Sequence, residues 1–147
     1  MIARGVKIRP MKISDYEPVI TLWAAAGLPS KPKGRDGKRN FKHQLTNPNT
    51  RYMVAEASGE IVGNILTTHD SRKGWLNRLA VHPKFRRKGL GKALVAESEK
   101  WLATQGIGIW ACQIEDWNDV SMAMFEGLGY HKHTDILYFT KKKNEDI

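Results

Sequence analysis

A run of basic residues interrupted by two glycines, Arg86 to Lys92, constrains the chain more than any other stretch. The apolar run Trp75 to Val81 before it predicts a strand, and Leu90 to Thr104 after it has the apolar spacing of a helix. Four of the seven residues in the run are cationic. The N-terminus of a helix carries partial positive charge, so further cations beside it are unfavourable by themselves. The pattern therefore indicates that an anion binds there. The alternative is a solvated basic turn.

The length of 147 residues predicts one domain over residues 1–147 that buries a substantial core. No apolar run approaches the ~20 residues of a membrane-spanning helix, and no secretory signal opens the chain. A single cysteine, Cys112, forms no internal disulfide, so we expect a cytoplasmic protein. The net charge of +9 fits a nucleic-acid partner, an acidic ligand or a need for solubility.

The first third of the chain predicts one strand and two helices. Val6 to Met11 alternates as a strand does, and Ser14 to Glu17 has the form of a capping box that starts a helix. The stretch Lys31 to Asn40 is rich in basic residues, glycine and proline and predicts a loop. Phe41 to Asn47 predicts a short second helix.

The middle of the chain predicts an antiparallel sheet. Tyr52 to Ala57 and Ile61 to Thr68 form a hairpin pattern, and Trp75 to Val81 follows as a third strand. Ile107 to Ile114 predicts a further strand, parallel to the third if the helix between them is a crossover.

The last part predicts one helix, Asp116 to Glu126, and a closing strand or hairpin within Tyr130 to Lys141. Ile136, Tyr138 and Thr140 alternate with their neighbours there, which is typical of a strand.

Three of these segments resemble one family. Arg86 to Gly91 resembles the pyrophosphate loop of the GCN5-related N-acetyltransferase (GNAT) superfamily, Gln/Arg-x-x-Gly-x-Gly/Ala. Leu79 to Pro83 is similar to the end of that family's central strand, and Asn118 to Tyr130 to its later helix. Their order and spacing match over essentially the whole chain. Other glycine loops fit worse, because Ala93 stands where a P-loop needs Ser or Thr, and Leu94 where a dinucleotide fingerprint needs glycine.

The resemblance implies an α/β (α+β) GNAT fold. Its mixed, mostly antiparallel central sheet is splayed between two parallel strands and has helices on both faces. It implies acetyl-CoA as co-substrate, no metal, and transfer of the acetyl group to a primary amine of a small molecule or peptide in a ternary complex. It also implies a monomer or homodimer away from membranes. One alternative is a CoA-binding sensor or regulator without efficient catalysis. A nucleic-acid-binding module fits less well, because the basic residues concentrate at one helix start.

By the same resemblance, backbone groups of the central strand pair with the pantetheine arm. The Leu79 N–H faces the thioester carbonyl and stabilises the oxyanion. Asn118 hydrogen-bonds the pantetheine with Ser121 beside it, although Asn118 as a plain helix cap is the alternative. The expected CoA-binding residues are Leu79, Ala80, Val81, Arg86, Arg87, Lys88, Gly89, Leu90, Gly91, Lys92, Asn118, Ser121 and Phe125.

The chain departs from the family at its proton-transfer positions. Phe125 stands where members often carry a tyrosine as general acid, and Trp75 and Asn77 stand where several carry a glutamate base. Glu115 is the best remaining acid/base candidate, followed by Asp116. Protonation of the CoA thiolate by solvent is the alternative, since a free thiol has a pKa of ~8.5.

The acceptor pocket of the family is usually formed by the loop after the first helix and the last strands. Here that loop is strongly basic, which favours an acceptor with a carboxylate or phosphate over a polycation; the alternative is a solvated loop. The cations in question are Lys31, Lys33, Arg35, Lys38 and Arg39.

Overall fold

A computed structural model describes residues 4–147, in which five strands form one mixed sheet. The first three pairings are antiparallel, and the fourth, between β4 and β5, is parallel. Within these residues, no helix has the length and apolar character needed to cross a membrane. In sheet order the strands are β1 (Val6–Pro10), β2 (Thr50–Ala57), β3 (Glu60–His69), β4 (Gly74–Val81) and β5 (Trp110–Cys112).

Helices cover both faces of the sheet. Side chains alternate between the two faces along each strand, so neighbouring residues of one strand pack against different helices. On one face, Trp23 and Phe41 pack against Val54 of β2. On the other, Leu94 and Phe125 belong to the core cluster that includes Ala55, the next residue of β2. The helices are α1 (Tyr16–Ala26), α2 (Lys38–Leu45), α3 (Leu90–Thr104) and α4 (Asp119–Gly127), with short 3-10 turns at Ile13–Asp15 and Pro83–Phe85.

Two contacts fix α3 against the sheet. The Thr67 hydroxyl of β3 donates to the Ser98 hydroxyl at 2.7 Å, with both side chains buried. At the start of β4, a Cβ added to Gly74 would lie 2.5 Å from Leu102 Cδ1. A side chain at position 74 would therefore force the buried Leu102 of α3 to move. Leu90 and Leu94, in the first two turns of α3, are buried in the core cluster as well, so the N-terminal part of the helix is also held against the sheet.

The predicted capping box at Ser14 to Glu17 is wrong. A 3-10 turn precedes α1, and Ser14 is exposed. The Asp15 carboxylate instead accepts from the Lys12 backbone N–H and from the Arg9 guanidinium, each at 2.8 Å. Hydrogen bonds to a charged carboxylate are stronger than hydrogen bonds to a neutral hydroxyl. Asp15, and not Ser14, therefore organises the turn before α1.

The predicted closing strand within Tyr130 to Lys141 is also wrong. The structure has no strand there, and Ile136 to Phe139 are between 69% and 85% exposed. The strand predicted over Ile107 to Ile114 is reduced to the three residues of β5. Alternating apolar residues make a strand only where a neighbouring strand supplies hydrogen bonds, and so short an edge strand supplies few.

Candidate functional site

The two parallel strands separate soon after they meet. β4 pairs with β5 only at Gly74, Trp75 and Leu76, and then continues alone on that side to Val81. On that side residues 77–81 therefore have no partner strand, and we call this unpaired stretch the gap between β4 and β5. Strand backbone that borders such a gap has N–H and C=O groups free to pair with an extended ligand.

A β-bulge lies at the same point of β4. Two residues, Arg78 and Leu79, stand opposite the single residue Ile65 of β3, and Arg78 has a φ of 55°. Leu79 has no register partner on β3 or on β5. A bulged residue leaves the ladder of hydrogen bonds. The predicted oxyanion donor is thus located at the bulge, and its role stays a prediction.

The basic loop takes the chain from β4 into α3 through two left-handed residues. Arg87 has a φ of 62° and Gly89 a φ of 78°, and α3 begins directly after Gly89. Within the described residues, the N–H groups of residues 89–92 donate to no protein oxygen. These groups form the start of a 15-residue helix that carries no acidic residue in its first turn. The arrangement suits an anion.

The basic side chains of the loop are not equivalent. Arg86 donates from Nε to the Val81 carbonyl and from Nη2 to the Ala26 carbonyl, both at 3.3 Å. It therefore ties the loop to the ends of β4 and α1. Arg87 and Lys92 are exposed and extend from the loop itself. The predicted phosphate contacts of all three stay predictions, and Arg86 has a structural contact in addition.

The second half of α4 lies close to the start of α3. A Cβ added to Gly91 would lie 3.3 Å from Met124 Sδ of α4. Asn118 caps α4, because its Oδ1 accepts from the Ser121 N–H at 3.1 Å. The cap is thus present, and it does not decide between a plain cap and an additional ligand contact. The two amide protons of Asn118 are left for a ligand, so its pantetheine contact stays a prediction.

The proton-transfer candidates differ in accessibility. Phe125 is only 5% exposed, whereas Glu115 is exposed in the segment that follows β5. Burial raises the pKa of the Cys112 thiol to about 11. A thiol that stays protonated is a poor nucleophile, so Cys112 does not suit a covalent acyl-enzyme mechanism.

Sequence reasoning missed Arg78. Its guanidinium carbon lies 4.0 Å from the centroid of the Trp23 ring, and its Nη2 donates to the Pro29 carbonyl at 2.5 Å. The Trp23 indole N–H in turn donates to Asn64 Oδ1 at 2.9 Å. Period-2 alternation places Arg78 on the same face as Leu76, which packs in the cluster with α3. The bulge instead turns Arg78 toward Trp23 on the other face. The one available signal was a guanidinium within an apolar strand.

Residues 17–130 match the family described as the Acetyltransferase (GNAT) family. The match covers more than half of the chain, and the chain belongs to this family. The resemblance drawn from the loop, the strand end and the later helix is confirmed, and so is the fold class, with its antiparallel strands, parallel pair and helices on both faces.

Solved structures share the fold. Aminoglycoside N-acetyltransferase AAC(6')-Iy in complex with CoA matches with a TM-score of 0.80 and 20% identity, over 97% of this chain and 99% of that one. The PaiA N-acetyltransferase of Thermoplasma acidophilum in complex with coenzyme A matches with a TM-score of 0.72 and 23% identity, over 84% of this chain and 87% of that one. Aminoglycoside 6'-N-acetyltransferase AAC(6')-Ih of Acinetobacter baumannii matches with a TM-score of 0.77 and 19% identity, over 95% of this chain and 100% of that one.

Proposed function

We propose that the protein transfers the acetyl group of acetyl-CoA to a primary amine of a small molecule or peptide, by direct attack in a ternary complex. One observation carries this proposal: β4 and β5 separate directly beside the bulge at Arg78 and Leu79. The bulge and the loop at Arg86 to Lys92 mark the two ends of one gap. An extended ligand with a thioester at one end and a pyrophosphate at the other matches that layout.

The loop holds the phosphate end. The N–H groups of residues 89–92 bind phosphate oxygens, and Arg87 and Lys92 add charge-assisted contacts. Unpaired backbone of residues 79–81 binds the amide groups of the pantetheine arm. The CoA complexes of PaiA and AAC(6')-Iy, which have the same fold, support CoA as the ligand.

At the bulge, the neutral amine attacks the thioester carbonyl carbon. A C–N bond forms, and the carbonyl oxygen gains charge that the Leu79 N–H stabilises. The C–S bond then breaks and CoA leaves as the thiolate. The amine proton goes to solvent or to Glu115, and the thiolate is protonated by solvent, since a thiol pKa of ~8.5 makes it a good leaving group. Catalysis rests mainly on positioning and on the oxyanion donor.

The test is a titration followed by an activity assay. We expect calorimetry to show acetyl-CoA binding to the full chain of residues 1–147, which we propose acts as one domain. We expect release of free CoA when amines are added, in a panel of amino acids, peptides and small amines. Binding without CoA release from any amine would favour the CoA-binding sensor instead. Absence of binding would overturn both functions.

A further inference from the structure

The bulge places Arg78 in an unusual setting. A non-glycine residue with positive φ is uncommon and persists only where its surroundings fix it. Here the surroundings are the Trp23 ring beneath the guanidinium and the Pro29 carbonyl at its Nη2. Because Trp23 is itself held by the buried Asn64, the guanidinium is held in one orientation.

This arginine is half-buried without a counter-ion. Within residues 4–147, no carboxylate lies within 4.0 Å of its guanidinium nitrogens. Asp36 acts on Arg78 electrostatically, from beyond 4.0 Å. The Asp36 carboxylate itself accepts from the Lys31 N–H at 2.7 Å. Burial lowers the pKa of Arg78. A desolvated cation without a counter-ion is unfavourable, so a binding anion gains more here than at an exposed arginine.

The surroundings of Arg78 are positive as well. Through Pro29, Arg78 is joined to the loop between α1 and α2, and the five cations of this loop and of the first turn of α2 are all exposed. Lys38 pairs with Glu17 at 3.0 Å, and Arg35 lies 3.8 Å from Asp36. Three of these five cations have no carboxylate partner within the described part of the chain: Lys31, Lys33 and Arg39. Such a field attracts anions and repels polycations.

We infer that Arg78 binds an oxyanion, a carboxylate or a phosphate, carried by the amine acceptor. The inference rests on the proposed acetyl transfer and names the substrate class of that site. Arg78 directly precedes Leu79 in the chain, so an acceptor anchored on its guanidinium is held beside the bulge. Arg78 is then a specificity-determining residue, and the acceptor differs in charge from an aminoglycoside.

Matched acceptor pairs test this. One pair is an amino acid and its amide, and a second is phosphoethanolamine and ethanolamine; spermidine represents the polycations. We expect wild type to prefer the anionic member of at least one pair, and the preferred pair identifies carboxylate or phosphate. For Arg78→Gln we expect KM for that member to rise about ten- to a hundredfold, as for a lost charge-assisted hydrogen bond. KM for acetyl-CoA and KM for the neutral member should stay unchanged.

Two further variants serve as controls. Arg78→Lys keeps the charge without the planar guanidinium, and should retain part of the preference. Arg72→Gln, in the exposed turn between β3 and β4, should change nothing. A purely structural Arg78 would instead lower the melting temperature and slow all acceptors equally. That result, or acetylation of neutral amines and polycations alone, would overturn the inference and leave the acetyltransferase activity standing.

Direct binding separates this inference from the proposed function. The preferred anionic amine, or each anionic probe if no amine is acetylated, is titrated into the protein with CoA present. Binding to wild type that is about ten- to a hundredfold weaker in Arg78→Gln would support the oxyanion site even without turnover. Equal binding to both proteins, or binding to neither, would remove the site whatever the enzyme assay shows.

Discussion

The ring of Phe125 in α4 packs edge-on against the ring of Tyr130, with ring centroids 4.9 Å apart and planes at 81°. The Tyr130 hydroxyl donates to Glu99 Oε2 of α3 at 2.7 Å. Burial and this hydrogen bond raise the pKa of the Tyr130 phenol. The aromatic pair therefore joins α3 to α4, and its one phenol holds its proton firmly. Neither ring is suited to protonate a leaving thiolate.

We predict that Phe125→Tyr gives no gain in turnover at any pH. The added hydroxyl would enter a core position that is 5% exposed, and burial of an unpaired hydroxyl costs about 1–3 kcal/mol of stability. Turnover as a function of pH and urea denaturation measure the two effects. Tyr130→Phe is the control, because it removes the hydroxyl and keeps the ring. A rise in turnover at low pH would instead show that protonation of the thiolate limits the rate.

The donor half of the site could be predicted from sequence because it depends on local backbone. Arg86 to Lys92 lies between a strand and a helix, and this order alone places free N–H groups at a helix start. Asn118 and Gly91 belong to motifs of fixed spacing. The structure shows that the pairing of β4 with β5 ends at Leu76, that Gly91 lies against Met124 of α4, and that Asn118 caps α4; their role in binding CoA stays a prediction.

Features that depend on distant partners could not be predicted in the same way. The stack of Arg78 on Trp23 requires a bulge opposite Ile65, and no periodicity reveals which residue is bulged. The prediction of a closing strand was wrong for a related reason. Alternation in Ile136 to Thr140 does not show which sheet edge, if any, these residues would pair with. The acceptor half of the site consists of such long-range relationships.

The helix cap that Asn118 provides and its proposed contact with pantetheine can be separated by substitution. Asp is as good a helix cap as Asn and still accepts from the Ser121 N–H, but it has no amide protons to donate. We predict that Asn118→Asp weakens acetyl-CoA binding at unchanged thermal stability. Asn118→Ala should weaken binding and also destabilise the protein by about 1 kcal/mol. Calorimetry and thermal melting measure both. Full affinity in Asn118→Asp would show that Asn118 is only a cap.

Substitution of the two loop arginines, Arg86 and Arg87, should have different effects on stability and on acetyl-CoA affinity. Arg86 bonds the Val81 and Ala26 carbonyls, so Arg86→Ala should lower both the melting temperature and the affinity for acetyl-CoA. Arg87→Ala should lower the affinity alone, by roughly three- to tenfold, and the double variant should weaken binding most. Each loss should be larger at low salt, where charges are less screened. Arg72→Ala is the matched control. Unchanged affinity in the double variant would remove the loop from the CoA site.

Asp15 should make stability depend on pH on the acid side. Its carboxylate accepts two hydrogen bonds from Arg9, at 2.8 and 3.0 Å, and one from the Lys12 N–H. The Arg9 hydrogen bond, supported by the Lys12 N–H, holds the pKa of Asp15 below its ordinary value. Since the unfolded chain binds this proton more readily, the contribution is fully present at neutral pH. It is lost as the pH falls through the unfolded pKa of ~3.9 and then the lower folded one.

We therefore predict that Asp15→Asn destabilises the protein at pH 7 by about 1.5–3 kcal/mol, as expected for hydrogen bonds to a charged group. The difference from wild type should shrink as the pH falls below about 4, because the wild-type carboxylate is then protonated as well. Urea denaturation of both proteins at a series of pH values measures this. Lys12→Ala is the control, because it keeps the backbone N–H and both Arg9 contacts. A difference that stays constant down to the lowest pH would show that Asp15 acts through packing instead of charge.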